Sequence, residues 1–370
     1  MIYSPETERL VNTIEQQLGR TLAPNVRNAF LQVPRHLFVA HYYRQQGNRL
    51  VWDHITAPAP GEISCDEALV TKIDAQGHPI SSSSQPSVMA RQLELLDLHP
   101  GLSVLEIGTG TGYNAALMGA LVSSTGQIIS IDIDQEHITT ASQHVDAVGV
   151  TNVLAAVGDG FQGYQEYAPY NRLLATCSVR ALPRSWAAQL APDGILLVNL
   201  RLNLSSVFLL LKKVTSTTFE GRLFDLNAAY MEMHGSAGLP QSLQVDWDYY
   251  DAQPHYEIQL PANLTKLLTC PAYSVLLECL LPCIRKKYRA FPGENEIHTY
   301  LIDISVPGTA IQVQGNHATI IGDQGYLKTQ LLQSMEWYER FGVTMEAYSV
   351  SFDETGATLC LGEMCFSLEI

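Results

Sequence analysis

The amino-acid sequence predicts an α/β fold with a mostly parallel sheet, a helical preface before it and a small α+β domain after it. Three observations carry that reading. Strand-like and helix-like segments alternate between Ser87 and Leu200. A glycine-rich turn, Gly108-Thr109-Gly110-Thr111-Gly112, follows a short apolar strand. The pattern then becomes mixed beyond a Gly- and Pro-containing stretch, Gly235 to Pro240. Regular alternation at this spacing requires crossover connections, and crossovers cover both faces of a parallel sheet.

In chain order, Leu10, Val11, Ile14 and Leu18 repeat at helical spacing, and a second helix runs from Pro24 to Leu31 before Pro34 stops it. Trp52 to Pro79 is rich in Pro, Gly and Asp without periodicity and reads as a long covering loop. The alternating part follows, with helices at Ser87 to Leu96, Tyr113 to Val122, Gln135 to Val148 and Pro183 to Leu190. Its strands are Ser103 to Ile107, Gln127 to Ile133, Val153 to Val157, Arg172 to Thr176 and Gly194 to Leu200. Val207 to Val214 and Arg222 to Met231 are read as completing the sheet. Beyond the boundary, strands are expected at Ala310 to Val313, His317 to Ile321, Ala347 to Phe352 and Ala357 to Leu361, with a helix at Leu327 to Phe341. The organisation is therefore read as 1–80, an N-terminal helical segment and covering loop; 81–235, the nucleoside-binding core; and 236–370, a C-terminal domain that selects substrate.

Composition narrows the function classes. The 370 residues carry 37 acidic and 22 basic side chains, a net charge of -15 that repels a phosphate backbone. The one compact basic cluster, Arg285-Lys286-Lys287, reads as a solvated helix end. No membrane span is expected, because the most apolar stretch, Leu264 to Ile284, is broken by Pro271, Glu278 and Pro282. The N-terminal twenty residues lack the pattern of a secretory signal. Seven scattered cysteines without a CxxC pair read as reduced thiols of a cytoplasmic protein, with Cys279 and Cys283 sharing a helix face and no metal site.

The chemistry centres on Val104-Leu105-Glu106-Ile107-Gly108-Thr109-Gly110-Thr111-Gly112-Tyr113. Glycines are needed where the backbone approaches a ligand, and a dinucleotide site would place another glycine where Tyr113 stands. A methionine-derived nucleoside with a zwitterionic tail, S-adenosylmethionine, fits the GxGxG spacing better. Asp132 ends the next strand, where a carboxylate accepts both hydroxyls of an adenosine ribose. Asp159, in Gly158-Asp159-Gly160, ends the strand after that and is placed to meet the adenine amino group. Glu106, Gly108, Gly110, Gly112, Tyr113, Asp132, Asp159 and Gly160 are thus the candidate cofactor-binding residues. Each aspartate is also a good helix cap, which is the plain structural alternative.

Four segments resemble the protein-L-isoaspartate O-methyltransferase family. Val33-Pro34-Arg35-His36-Leu37-Phe38-Val39 is similar to its entry segment, and Ser84-Gln85-Pro86-Ser87 to its Ser-Gln-Pro segment. Gly158-Asp159-Gly160 and Ala168-Pro169-Tyr170 resemble its third strand and the exit from it. The likeness spans roughly residues 20 to 232 and implies a Rossmann-like class I methyltransferase core using S-adenosylmethionine, with S-adenosylhomocysteine as product. It also implies that Ser84 lies beside the transferred methyl and the acceptor carboxylate. Ser87 stands where many members have histidine. The C-terminal extension and the Ser81 to Ser84 run resemble members that methylate an aspartate of a ribosomally made peptide, which then closes to an aspartimide.

The expected partner is therefore a protein or peptide carrying aspartyl or isoaspartyl residues. A methyltransferase acting on a small molecule or RNA, and a non-catalytic cofactor-binding module, are the alternatives the sequence leaves open.

Overall fold

The computed structural model describes residues 3–47, 51–226, 228–235, 244–291, 297–323, 325–353 and 356–368. The chain divides into two compact units. The first comprises residues 1–199, 208–220 and 226–239, and the second takes in 200–207, 221–225 and 240–370. The sequence boundary at Gly235 to Pro240 falls mostly outside the described residues, at 236–240.

The first unit opens on helices α1 (Pro5–Leu18) and α2 (Pro24–Gln32). The Ser4 side chain caps α1 and Gly19, at φ 65°, ends it in the left-handed conformation. Then comes a departure from the sequence reading. The expected covering loop is an antiparallel sheet of β1 (His41–Gln45), β2 (Trp52–Thr56), β3 (Leu69–Ile73) and β4 (Pro79–Ser83) in the order β2-β1-β3-β4, with the single-turn α3 (Pro60–Ile63) between. Its strands are five residues long and share only a small core of Val39, Tyr42, Ile63 and Leu69, too few for a visible alternation.

The alternating part follows as α4 (Pro86–Leu95), β5 (Ser103–Ile107), α5 (Tyr113–Val122), β6 (Gln127–Asp132), α6 (Gln135–Ala147), β7 (Val153–Val157), β8 (Tyr170–Val179), α7 (Arg184–Gln189), β9 (Leu190–Arg201), β10 (Ser206–Lys213) and β11 (Phe219–Phe224). These strands lie in the order β11-β10-β9-β8-β5-β6-β7. Pairs β5–β6, β5–β8 and β6–β7 are parallel, so the carboxyl ends of β5, β6 and β8 share one edge. Val104, Leu105, Ile128, Ile129, Leu173 and Leu174 are all buried, which explains why these strands read as apolar runs. Helix α5 is buried on nearly every side and carries no charge, so it too is a core element. Strand β11 ends at Phe224 and not at Met231. Residues 228–234 are irregular apart from an isolated bridge between Ser178 and Glu232.

In the second unit, α8 (Trp247–Asp251), β12 (His255–Gln259), α9 (Leu264–Leu267), α10 (Pro271–Leu280), β13 (Ile284–Ala290), β14 (Ile297–Asp303), β15 (Ala310–Gln314) and β16 (His317–Ile321) precede α11 (Tyr326–Phe341). The five-stranded sheet, ordered β12-β16-β15-β14-β13, is antiparallel throughout. Tyr273 and Leu277 of α10 and Leu331 and Met335 of α11 pack with its Leu301, Ile311 and Ile320. Strands β17 (Tyr348–Asp353), β18 (Gly356–Leu361) and β19 (Met364–Leu368) form an antiparallel meander.

Three readings of this region are corrected. Arg285, Lys286 and Lys287 lie on strand β13 and not at a helix end, and Lys286 Nζ donates to the Leu204 carbonyl. Cys283 falls beyond the end of α10, so it shares no helix face with Cys279. Cys360 and Cys365, directly opposed across β18 and β19, form a disulfide, leaving Cys65, Cys177, Cys270, Cys279 and Cys283 as the free thiols. A hairpin pair five residues apart carries no CxxC signal. Among the described residues no helix is long and apolar enough to cross a membrane.

Candidate active site

At the shared strand edge of the first unit lies a cavity of about 470 Å³, lined by residues of 80–85, 107–111, 131–134, 228–234 and a few neighbours. That volume suits a nucleoside-sized ligand.

The glycine loop is held from three sides. Gly108 N–H donates to the Ile131 carbonyl at 2.8 Å, and Thr176 Oγ1 donates to the Gly108 carbonyl at 2.7 Å. Gly108 has φ 99°, and a Cβ there would lie 2.5 Å from Thr176 Oγ1, so no other residue fits. Gly110 N–H donates to Asp132 Oδ2 at 3.0 Å. Gly112 serves packing: a Cβ would meet the Ala141 Cβ of α6 at 2.9 Å. Gly160 also lines the cavity, and a Cβ there would strike Met233 and Ile107.

Asp132 lines the cavity, with Oδ1 accepting the Asp134 N–H at 3.0 Å. Burial opposes its ionisation, yet the nearby His137 ring and the N–H groups of Gly110 and Asp134 hold its carboxyl below the usual carboxylate range. Asp159 Oδ1 accepts the Phe161 N–H at 2.9 Å, capping the short turn Gly160–Gln162. Gly158 and Gly160 line the cavity, and the Asp159 side chain is not part of the lining.

Glu106 is 0% exposed and reaches no cavity surface. Its carboxyl accepts from Asn114 Nδ2 at 2.7 Å and from Ser130 Oγ at 2.6 Å, so it fixes Asn114, which does line the cavity. Burial is the main cause that pushes Glu106 up to about 7, against the pull of those two hydrogen bonds. The Tyr113 ring packs against Phe30 and Phe38 in the core, and only the start of its helix belongs to the site.

Ser81, Ser82 and Ser83 belong to strand β4 and Ser84 follows it directly. All four line the cavity. The Tyr230 hydroxyl donates to Gln92 Oε1 at 2.6 Å and also engages the Ser84 side chain. Arg35, 1% exposed, spends its guanidinium on backbone carbonyls: Ile63 and Cys65 at 3.1 and 2.8 Å, Glu67 at 2.8 Å, and Ser83 and Ser84 both at 3.1 Å. Asp66 ties the same two segments from the other partner, accepting from Ser87 N–H at 2.7 Å and Gln85 Nε2 at 3.1 Å.

Sequence reasoning singled out neither His137 nor Asn114, Thr176, Gln92 or Tyr230. His137 had a readable signal, a histidine in the first turn after an acidic strand end. Thr176, Gln92 and Tyr230 act across long sequence separations and left none, and Asn114 depends on how deep Glu106 lies beneath the loop.

The parallel sheet, the glycine loop and an acidic residue at the end of β6 define a class I S-adenosylmethionine-dependent methyltransferase. The nucleoside fits what is present: a glycine backbone, with no room for a Cβ at Gly108, beside an ionised Asp132 in the cavity lining. The family model of protein-L-isoaspartate (D-aspartate) O-methyltransferase matches residues 6–230, and the chain belongs to that family. The protein-L-isoaspartate O-methyltransferase of Thermotoga maritima is 33% identical over 184 residues, which are 50% of this chain and 53% of that protein. The match thus spans about half of that relative's length. Protein-L-isoaspartate O-methyltransferase 2 of Archaeoglobus fulgidus is 34% identical over 198 residues, 54% of this chain and 80% of that one. A solved protein-L-isoaspartate O-methyltransferase superposes over 96% of this chain and 99% of its own at 23% identity and a TM-score of 0.57. The overall fold, the C-terminal part included, therefore has a solved counterpart.

Proposed function

We propose that this enzyme methylates the carboxylate of isoaspartyl or aspartyl residues in a protein or a ribosomally made peptide. The observation that carries the reading is Ser84: a hydroxyl in the cavity lining, on a backbone fixed by Arg35, in a chain of this family.

S-adenosylmethionine, when bound, supplies an electrophilic methyl on a sulfonium. In this reading Gly108, Gly110 and Asp132 hold its adenosine and tail. A carboxylate acceptor has a pKa of about 4 and is already ionised near neutrality, so no residue need remove a proton. The lining agrees with that: burial raises the Cys177 thiol to about 12 and the Tyr230 hydroxyl well above its ordinary value, so both stay protonated. Ser84 orients the carboxylate by hydrogen bonding without a full positive charge that would quench the nucleophile. The gain is alignment, since an attacking oxygen held at roughly 3 Å from its target removes much of the entropic cost of the encounter. The resulting methyl ester can close to a succinimide, or aspartimide, when the following amide nitrogen attacks the ester carbonyl and methanol leaves. Residues 236–370 are assigned to selecting the polypeptide.

Lability of the product distinguishes this reading from methylation of an amine or of RNA. Label transferred from S-adenosylmethionine to a mixed pool of isoaspartyl peptides, aspartate-rich cyclic peptides and RNA should be released as methanol in mild base. Base-stable label would remove carboxyl transfer.

A further inference from the structure

The lining of the cavity holds the carboxylates of Asp132, Asp134 and Glu232 and, among the described residues, neither a lysine nor an arginine. In a chain of net charge -15 such a lining opposes the entry of an anionic acceptor. Each of these carboxylates has a basic group behind it. Lys72 Nζ lies 2.7 Å from Asp134 Oδ2, and the His137 ring lies 3.5 Å from Asp132 Oδ2. Glu232 is held by Arg180, whose Nε donates to Oε1 at 2.7 Å and whose Nη2 donates to Oε2 at 3.3 Å, a two-bond fork.

Asp132 and Asp134 stand where the nucleoside is assigned. Glu232 belongs to the irregular segment 228–234, two residues beyond Tyr230, whose hydroxyl engages the Ser84 side chain. The backbone alone fixes Glu232 there: Ser178 N–H donates to the Met231 carbonyl and Met233 N–H to the Ser178 carbonyl, both at 2.8 Å. The ion pair is therefore not what holds the segment. With side chains 45% and 17% exposed, it also contributes little to the fold. Its consequence is electrostatic. Two residues of extended chain span roughly 7 Å, which leaves the Glu232 charge on the order of 10 Å from the Ser84 hydroxyl, about one Debye length at 0.1 M salt.

On the reading that the acceptor is a polypeptide carboxylate, we propose that Arg180 is a specificity-determining residue: its guanidinium cancels the Glu232 charge beside Ser84 and so admits an anionic side chain. Arg180 acts on the approach of the polypeptide and not on the transfer of the methyl group. Its effect belongs in KM, and it fades as salt screens the charge.

The test is steady-state methylation of a synthetic isoaspartyl or aspartyl peptide at saturating S-adenosylmethionine, in about 20 mM and about 500 mM salt. The enzymes are the wild-type chain, Arg180→Gln, Glu232→Gln and the double variant, each first shown by calorimetry to bind S-adenosylhomocysteine within about twofold of wild type. Arg180→Gln should raise KM for the peptide by about five- to tenfold at low salt with kcat within about twofold, and the loss should shrink at high salt. Glu232→Gln leaves Arg180 uncompensated and should lower KM by about threefold. The double variant, neutral again, should return to within about twofold of wild type. A pair that only braced the structure would give equal losses in the two single variants, because either one breaks it. Equal losses overturn the proposal, as does a low-salt KM for Arg180→Gln within about twofold of wild type. Should Arg180→Gln not fold, Glu232→Gln decides alone, and a KM at or above the wild-type value overturns the proposal. Absence of methyl ester in the wild type overturns the reading of the acceptor and this inference with it, whereas ester formation with equal losses overturns this inference alone.

Discussion

Arg35 Nη2 donates to the Ser84 carbonyl at 3.1 Å, joining a residue just beyond the N-terminal helices to the serine that follows strand β4 in the cavity lining. The same guanidinium binds the carbonyls of Ile63, Cys65, Glu67 and Ser83, so one buried side chain fixes two backbone segments. Only a planar fork of several donors can do this; a lysine has the charge without the geometry. Arg35→Lys should lower turnover by at least about tenfold and destabilise the fold by about 2–4 kcal/mol, because several buried carbonyls lose their donor. Turnover and urea unfolding measured on the same preparation check it. Wild-type values in both would show that the carbonyls find other partners.

The four serines should separate by role. Ser84→Ala should lower turnover by one to two orders of magnitude, about the size for one lost orienting hydrogen bond, with cofactor affinity within about twofold. Ser83 is different, since its Oγ accepts from Arg35 Nε at 3.3 Å, and Ser81 Oγ pairs with Thr71 Oγ1 at 3.1 Å. Ser83→Ala and Ser81→Ala should therefore cost about 1 kcal/mol of stability with smaller losses of turnover. Single-turnover kinetics on the series decides, and equal losses at all four positions would mean that β4 acts only through its conformation.

Asp132→Ala should weaken S-adenosylmethionine binding by about 1.5–3 kcal/mol, the worth of a charge-assisted hydrogen bond. It also strips Gly110 N–H of its acceptor, so the glycine loop loosens as well. Calorimetry on a variant shown to be folded tests the assignment, and an unchanged dissociation constant would move the ribose elsewhere.

Glu106 predicts a pH dependence of stability with a defined sign. Its carboxyl titrates near 4.5 when unfolded and at about 7 when folded, so between those values the folded state holds the extra proton. Stability should fall as pH rises from about 4.5 to 7, by at most about 3 kcal/mol, and level off above. Glu106→Gln, which copies the protonated form, should remove that slope and exceed wild-type stability at pH 8. Thermal unfolding at pH 5, 6, 7 and 8 measures it, and parallel curves for the two proteins would contradict the assignment.

A chain ending at Gly235 tests the division of the molecule. The second unit includes 200–207, and the Glu278 carboxylate accepts the N–H groups of Asn203 at 2.8 Å and Leu204 at 3.0 Å. Removing it leaves two buried donors unpaired and exposes Leu204, so the shortened chain should unfold at lower denaturant than the full one. Equal midpoints would show that residues 200–207 are held by the first unit alone.

The parallel sheet was legible because β5, β6 and β8 carry apolar runs buried on both faces, with α5 and α6 following β5 and β6. The antiparallel sheet before it was not, since its four strands are five residues long and half-exposed, and the segments that connect them, rich in Pro, Gly and Asp, look like loop. The glycine loop and Asp132 were readable because their spacing is local. Arg35 was visible only as part of a motif. Its partners lie 28 to 49 residues away, and no local pattern reveals that a guanidinium gathers five carbonyls. Glu106 was read as a ligand contact, whereas burial makes it a support for Asn114. That distinction depends on depth beneath the loop, which spacing does not encode.

The central claim is transfer of a methyl group to a side-chain or isoaspartyl carboxylate, and a matched pair of peptides tests it most directly. Two synthetic peptides of one sequence, one with L-isoaspartate and one with L-aspartate at a single position, are incubated with the full chain and labelled S-adenosylmethionine at saturating cofactor. The account predicts stoichiometric, base-labile methyl ester on at least one of the pair, with turnover reduced by one to two orders of magnitude in Ser84→Ala. Absence of methyl ester on both peptides, in a preparation that binds S-adenosylhomocysteine, would contradict it.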